Sequence, residues 1–479
     1  MRTQKYLDNF LERLNDTSDV SQKNLYTKEQ YEKLMNVVVD VLKKNKHANI
    51  SEIREELFRR SGLEQALRNF FLVQKKAPGG VIRFGTGKHQ EQIVIGNRQE
   101  VYFDGNNYFD DVIPMEENTI FDLGSLTKQF TSVAILQLAG EGELSLADPV
   151  AKYLPEFSNI QDVTIFDLLT FRPLITDKRI DKALNKEEAE DILFNVKKKP
   201  IDNTDRYNDI APMVLKYIVE KVSGLSYADY VKYNILNKAG MNSTFVRVPE
   251  EEIHKIANSN YSATVDSEGN VTIDNTVLPG IVTDKKAVVM GQPDGILSGH
   301  AGLFSTSSDM ASFQRGLING LVLHPALTRE MAKNRTGAHL VRTANGFYTT
   351  SYGFLCNSKN PSKIFTDVHH GLSGSAFSQS GWPGTFMTVD PLNDINLAYL
   401  SNRTHNRITS LAPNFTPELT NKSVEYKGRQ IIDASIYAWN RRDITDKCIE
   451  LAIQEKMLEE ILGRDLDKVR EDVKVRVLK

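Results

Sequence analysis

Ser125-Leu126-Thr127-Lys128 is the one place in this chain where a serine is followed three positions later by a lysine. Residues three apart on a helix share a face, so the hydroxyl and the amine can meet. A serine hydroxyl is a weak nucleophile and needs such a base within reach. The tetrapeptide sits where an extended-looking segment, residues 119–123 (TIFDL), gives way to an apolar run with Phe130, Val133, Ala134, Leu136 and Leu138. A nucleophile at a helix amino terminus lies among unpaired N–H groups and the positive end of the dipole, both of which favour developing negative charge. Lys128, one turn inside, is expected to be buried, and burial disfavours the ammonium form, drawing a reference pKa of about 10.4 toward the range of a usable base. The four residues alone fit a helix start with a surface lysine equally well.

The elements that must hold this pair are legible in outline. Residues 5–73 carry helical periodicity, with Leu34, Val37, Val38, Val41 and Leu42 recurring at three and four residue intervals. GGVIRF and EQIVIGN, separated by residues 85–90, read as two antiparallel strands. From about residue 147 to 322 the pattern is helices and loops, clearest at residues 210–222, 227–236 and 307–318. After Phe354 short strands return: residues 385–389 and 395–400 flank the turn Pro391-Leu392-Asn393-Asp394. Residues 431–439 suit a closing helix, and residues 446–476 a charged amphipathic one.

Composition bounds the function. The chain has 479 residues, 40% hydrophobic and 25% charged, which is ordinary for a globular protein. Its 59 basic and 62 acidic side chains nearly cancel, so nucleic acid is not an expected partner. Cys356 and Cys448 make neither a disulfide framework nor a thiolate metal site. Residues 1–16 lack an uninterrupted apolar core for export, and no stretch approaches the roughly 20 apolar residues that cross a bilayer, so the expected location is cytoplasmic with no membrane span.

An ordered series of segments then resembles the serine β-lactamase-like, penicillin-recognising hydrolases, in the branch holding class C β-lactamases, D-alanyl-D-alanine carboxypeptidases, D-aminopeptidases and esterases. The segments are TIFDLGSLTKQFTSVAILQL, GELSLADPVAKYLPEF, VTIFDLLT, RYNDIAPMVLKYIVEKVSGLSYADYV, ILNKAGMNSTF, SGHAGLFSTSSDMASF and QSGWPGTFMTVDP, covering about residues 78–439. The resemblance implies an α/β (α+β) fold: an antiparallel sheet flanked by helices, beside an all-helical lobe. It divides the chain into a helical extension (1–75), the hydrolase domain (76–441, lobe about 147–322) and a helical tail (442–479). It also implies catalytic roles for Ser125, Lys128 and Tyr207, the last falling on the family's Tyr-x-Asn motif as Tyr207-Asn208-Asp209. The phenol would relay the proton from the nucleophile to the leaving group.

Three departures from the family pattern bear on chemistry. Asp209 replaces the usual Asn, and a carboxylate near Lys128 favours the ammonium, making Tyr207 the better base. Gln379-Ser380-Gly381, followed by Trp382, stands where relatives carry Lys-Thr-Gly or His-x-Gly; glutamine lacks the charge that would hold a substrate carboxylate, though the Ser125 and Trp382 N–H groups can still form an oxyanion hole. Phe171-Arg172-Pro173-Leu174 replaces a family loop and is expected to shape the pocket. Asp209, Gln379, Ser380, Gly381 and Trp382 are therefore the expected substrate-binding positions. His300, between glycines, is expected to be structural.

Other signals carry less. Gly85-Thr86-Gly87-Lys88 lacks the first glycine of a phosphate loop, His369-His370 with Asp367 lacks metal-ligand spacing, and no Gly-x-Ser-x-Gly elbow occurs. The expected activity is serine hydrolysis of an ester or amide carbonyl, D-amino-peptide-like, through an acyl-Ser125 intermediate, with a small-molecule or short-peptide substrate and no metal or organic cofactor. The competing expectations are a catalytically silent relative that binds a peptide or amide in the same cleft, and an oligomeric scaffold built by the helical ends. The sequence fixes no oligomeric state.

Overall fold

The computed structural model describes residues 27–201, 206–343, 346–360, 366–412, 423–461 and 472–479. The expected helix over residues 5–26 lies outside them. In chain order the elements that matter here are α1 (Lys28–Lys44), α2 (Ile50–Ser61), β1 (Gly79–Gly85), β2 (His89–Phe103), β3 (Tyr108–Pro114), α3 (Thr127–Glu141), α4 (Ile210–Ser223), α5 (Lys285–Val289), α6 (Ser307–Asn319), β4 (Asn357–Ser358), β5 (Phe377–Gly381), β6 (Thr385–Asp390), β7 (Ile395–Ser401), α7 (Tyr437–Ile461) and β8 (Asp472–Leu478).

Capping chemistry fixes where α1 and α2 begin. Thr27 and Asn49 each accept the N–H three residues on, while Gln30 and Glu52 reach back to close the box. The main sheet has eight strands in the order β4-β5-β6-β7-β1-β2-β8, with β3 paired to the far half of β2. Every pairing is antiparallel except that of β8, which runs parallel to β2. Alternate side chains of these strands enter two different cores, as the pleat requires. Val81, Val94, Ala398 and Leu400 pack on α3, α4 and α6, whereas Ile82, Phe84, Ile93, Ile95, Leu397 and Tyr399 pack beneath α1, α2 and α7. A sheet covered on both faces reads as near-continuous apolar runs, and these strands do.

Helix α3 is buried on all sides, from Thr127 through Gly140, and Gly142 ends it in the left-handed conformation at φ 83°. Such a helix is the axle of the molecule, and it carries Lys128.

The mixed α/β architecture matches the expected fold class, with three local corrections. The lobe is not all helical: Ser262–Val265 and Val271–Asp274 form a hairpin within its expected limits and join a five-stranded sheet with Arg407–Leu411, Arg429–Asp433 and Ser423–Tyr426. The expected helix at residues 431–439 begins only at Tyr437, because Lys427-Gly428, both at positive φ, make a tight turn that sends Arg429–Asp433 back as a strand. The C-terminal helix is described to Ile461, and the end of the span expected to be helical is a strand instead: Val473, Val475 and Val477 alternate with charged residues in β8, a period of two that favours a strand at the sheet edge. Among the described residues no helix is long and apolar enough to cross a membrane.

Candidate active site

A single turn of 3-10 helix, Gly124–Leu126, joins the extended segment to α3 and carries Ser125. Asp122 fastens this turn: one carboxylate oxygen accepts the Gly124 N–H at 2.9 Å, the other the N–H and hydroxyl of Thr283 at 2.7 and 2.8 Å. Gly124 has φ +52°, and a Cβ there would lie 2.6 Å from Pro383 Cδ and 3.3 Å from the Trp382 nitrogen. A Cβ on Gly381 would stand 2.4 Å from the Leu123 carbonyl oxygen, to which the Thr385 hydroxyl donates at 2.8 Å. Glycine at 124 and 381 thus lets the end of β5 press against the nucleophile turn and brings the Trp382 N–H beside it.

Lys128 is fully buried, and its Nζ donates to Ser125 Oγ at 2.8 Å and to the His300 carbonyl at 3.2 Å. Asp209 Oδ1 lies 2.8 Å from the same nitrogen. Tyr207 completes the cluster: its phenol is electrostatically coupled to Lys128 and Ser125, and the Lys128 nitrogen stands 4.9 Å from its ring centre. Asn208, not Tyr207, caps α4, accepting the Ala211 N–H at 2.8 Å and donating to the Arg172 carbonyl at 3.1 Å. Phe171, buried at φ 55°, packs on Tyr207 with ring centres 5.0 Å apart, so the departed loop sets the tyrosine's position.

The electrostatics differ from the simple picture of a neutral amine. Burial alone would lower the Lys128 pKa, but the Asp209 carboxylate and the Tyr207 hydroxyl together outweigh it and hold the group above the ordinary lysine value. Burial works against charge on Asp209 too, yet Lys128, His300 and Lys286 together hold it below the usual carboxylate range. Burial raises the Tyr207 phenol above its ordinary value. The resting cluster is therefore ammonium, carboxylate and neutral phenol, which corrects the expectation of an uncharged Lys128 and agrees with the effect expected of Asp209.

Ser125, Tyr207, Gln379, Ser380, Gly381 and Trp382 all line one cleft of about 360 Å³. The Gln379 amide faces the Tyr207 hydroxyl at 3.5 Å, and Trp382, half exposed, is backed by the Arg403 guanidinium 4.4 Å from its ring. Asp209 sits behind Lys128, its carboxylate engaged by two ammonium groups. Sequence reasoning missed Asp122, Asp284, Lys286 and Arg403. Asp284 and Lys286 lie in a run of ordinary helix-capping residues, and nothing in their spacing sets them apart from solvated charges.

Lys286 Nζ lies 3.2 Å from Asp209 Oδ2 and 3.3 Å from Asp284 Oδ2, and His300 Nε2 lies 3.2 Å from Asp284 Oδ1. Asp209, Asp284 and His300 thus bring one ligand-type atom each within 4.8 Å of one another. Two ammonium groups already balance the two carboxylates, so the donor set has no net negative charge to attract a cation, and it is an ion-pair network.

The Beta-lactamase family pattern matches residues 77–413. A Salmonella gallinarum protein named "Putative D-alanyl-D-alanine carboxypeptidase" is 26% identical over 364 residues, spanning 70% of this chain and 79% of that one. The fold is similar to a class C beta lactamase from Rhodobacter sphaeroides, with TM-score 0.52 and 18% identity over 84% of this chain and 100% of that one. It is likewise similar to an octameric penicillin-binding protein homologue from Pyrococcus abyssi, with TM-score 0.52 and 20% identity over 86% of this chain and 79% of that one. A match over this much of the chain, on a fold shared with those structures, makes it a member of the Beta-lactamase family of serine hydrolases.

Proposed function

We propose that the chain hydrolyses an ester or amide carbonyl, in a D-amino-peptide-like substrate, through an acyl-Ser125 intermediate. The observation that carries this reading is the Lys128 nitrogen 2.8 Å from Ser125 Oγ, with the Tyr207 ring centre 4.9 Å from the same nitrogen. In acylation, Oγ attacks the carbonyl carbon and its proton passes to the Lys128–Tyr207 pair. The Ser125 and Trp382 N–H groups face the resulting oxyanion. Tyr207 then gives a proton to the departing oxygen or nitrogen, and the carbon-to-leaving-group bond breaks with its electron pair. A water molecule repeats the sequence on the acyl-serine and returns free Oγ.

Because Lys128 rests as the ammonium, the competent fraction is small near neutrality and the rate rises with pH. Fluorophosphonate and fluorescent penicillin labelling, with turnover of simple esters and D-aminoacyl amides, tests the proposal. Ser125→Ala is expected to lose labelling and at least about 10³-fold of turnover. Labelling that persists in Ser125→Ala would sink it. The strong hold of Asp209 on Lys128 favours a second reading, a silent relative that binds a peptide or amide in this cleft; absence of labelling and turnover in the unaltered chain would select it.

A further inference from the structure

Lys286 is not among the residues that line the cleft, yet its placement is controlled from the nucleophile turn. Asp122, three residues before Ser125, accepts both Thr283 groups and so ties down the backbone entering α5. Asp284, next in line, accepts the Lys286 and Ala287 N–H groups at 2.9 and 3.2 Å and starts that helix. The chain then delivers the Lys286 ammonium to the second oxygen of Asp209 while Lys128 holds the first. One carboxylate is shared between two ammonium groups.

From this geometry we infer that Lys286 is a positioning residue for acylation, dividing the Asp209 carboxylate so that Lys128 can release its proton to the reaction. The inference rests on the acyl-Ser125 reading above. A carboxylate facing one ammonium gives it the full stabilising field; a second cation within hydrogen-bond distance of the same group cancels part of that field and repels the first. The titratable groups around the pair are Tyr207 and Asp209 before α4, Asp284 at the start of α5, His300 on the following loop, and Asp181, which is paired to Arg179 at 2.6 Å. Of the two cations on Asp209, Lys128 also touches the nucleophile. Lys286 is partly exposed, its other partner being Asp284.

A fluorophosphonate isolates the proton step. Ser125 Oγ forms the new bond to phosphorus, the P–F bond breaks, and fluoride leaves with its electron pair and needs no proton. The labelling rate therefore follows removal of the serine proton, and below the midpoint its logarithm climbs in step with pH. Lys286→Met is expected to displace that line downward by about one pH unit, a tenfold loss of rate at fixed pH, because Asp209 then acts on Lys128 alone. Lys286→Arg, which keeps the cation, restores the rate to within about threefold. Asp209→Asn displaces the line the other way, upward by about tenfold or more.

A merely structural role for Lys286 would not produce opposite displacements from its loss and from loss of its partner. Should Lys286→Met fail to fold, Lys286→Gln carries the same expectation with a polar side chain. Coincidence of the Lys286→Met or Lys286→Gln line with that of the unaltered chain overturns the inference while leaving acyl-Ser125 chemistry intact. Absence of Ser125 labelling in the unaltered chain removes both.

Discussion

Two charge clusters, each with at least one buried member, lie on opposite faces of the central sheet, and they are built from different cations. On the cleft face, Lys128 and Lys286 share Asp209, and Asp284 links Lys286 to His300. On the other face, Arg54 of α2 grips Glu455 of α7 through two bonds of 2.9 and 2.6 Å, and Arg476 of β8 joins Glu91 of β2 at 2.8 Å and Glu55 of α2 at 3.1 Å. A guanidinium stays charged at any physiological pH and meets a carboxylate in a planar fork, so it fastens elements together. An ammonium on a flexible stem can surrender its proton when its surroundings ask for it. Both faces hold an ion pair with a buried member, Lys128 on one and Glu455 on the other; of the two, the cleft face places a nucleophile against the cation.

Breaking the two faces therefore separates chemistry from stability. The largest expected effect is Lys128→Ala, which should cut Ser125 labelling by about 10³-fold or more, equivalent to about 4 kcal/mol of transition-state stabilisation. The melting temperature should move by only a few degrees, and a labelling rate within tenfold of the unaltered chain would show that Lys128 is a structural pair like Arg54.

The reciprocal change is Glu455→Gln. It leaves Arg54 nearly buried and without its carboxylate, and loss of one partner of a buried pair costs about 3 kcal/mol. A fall of several degrees in melting temperature with an unchanged labelling rate at 25 °C is expected. Unchanged stability would mean that the outer helices are fastened by their apolar contacts alone.

Sequence reading reached the cleft face better than the outer one, for a physical reason. The Ser125–Lys128 spacing is local, so one helix turn puts both groups together and the tetrapeptide announces it. Tyr207, Asp209 and Gln379 were reached through family motifs, whereas Lys286, Asp284 and Asp122 meet the site only through long-range packing. The outer cluster joins residues 401 positions apart, Arg54 and Glu455, and no pattern along the chain marks such a pair. Strand β8 was misread for a different reason: its Val-Lys-Val-Arg-Val alternation is short and follows a long helical run, whose period carried over it.

The smallest expected effect tests whether charge beneath the nucleophile turn obeys the same logic. Among the described residues Asp122 has no cationic partner; burial raises its pKa to about 6, against the three donors from Gly124 and Thr283 that favour the carboxylate. The folded state therefore binds this proton more tightly than the unfolded chain, whose aspartate has its ordinary pKa of about 3.9. For such a group, stability rises as pH falls through about 6 and levels off near 4, which is opposite to Asp209, whose lowered pKa means stability is lost on acidification. Asp122→Asn cannot titrate, so the stability difference between the unaltered chain and this variant should grow in favour of the former by about 1.4 kcal/mol per pH unit between about 6 and 4. Denaturant unfolding of both proteins at pH 7, 6, 5 and 4.5 measures it. A difference independent of pH would mean that Asp122 is already ionised throughout the range, held by its three donors as firmly as Asp209 is held by its two ammonium groups.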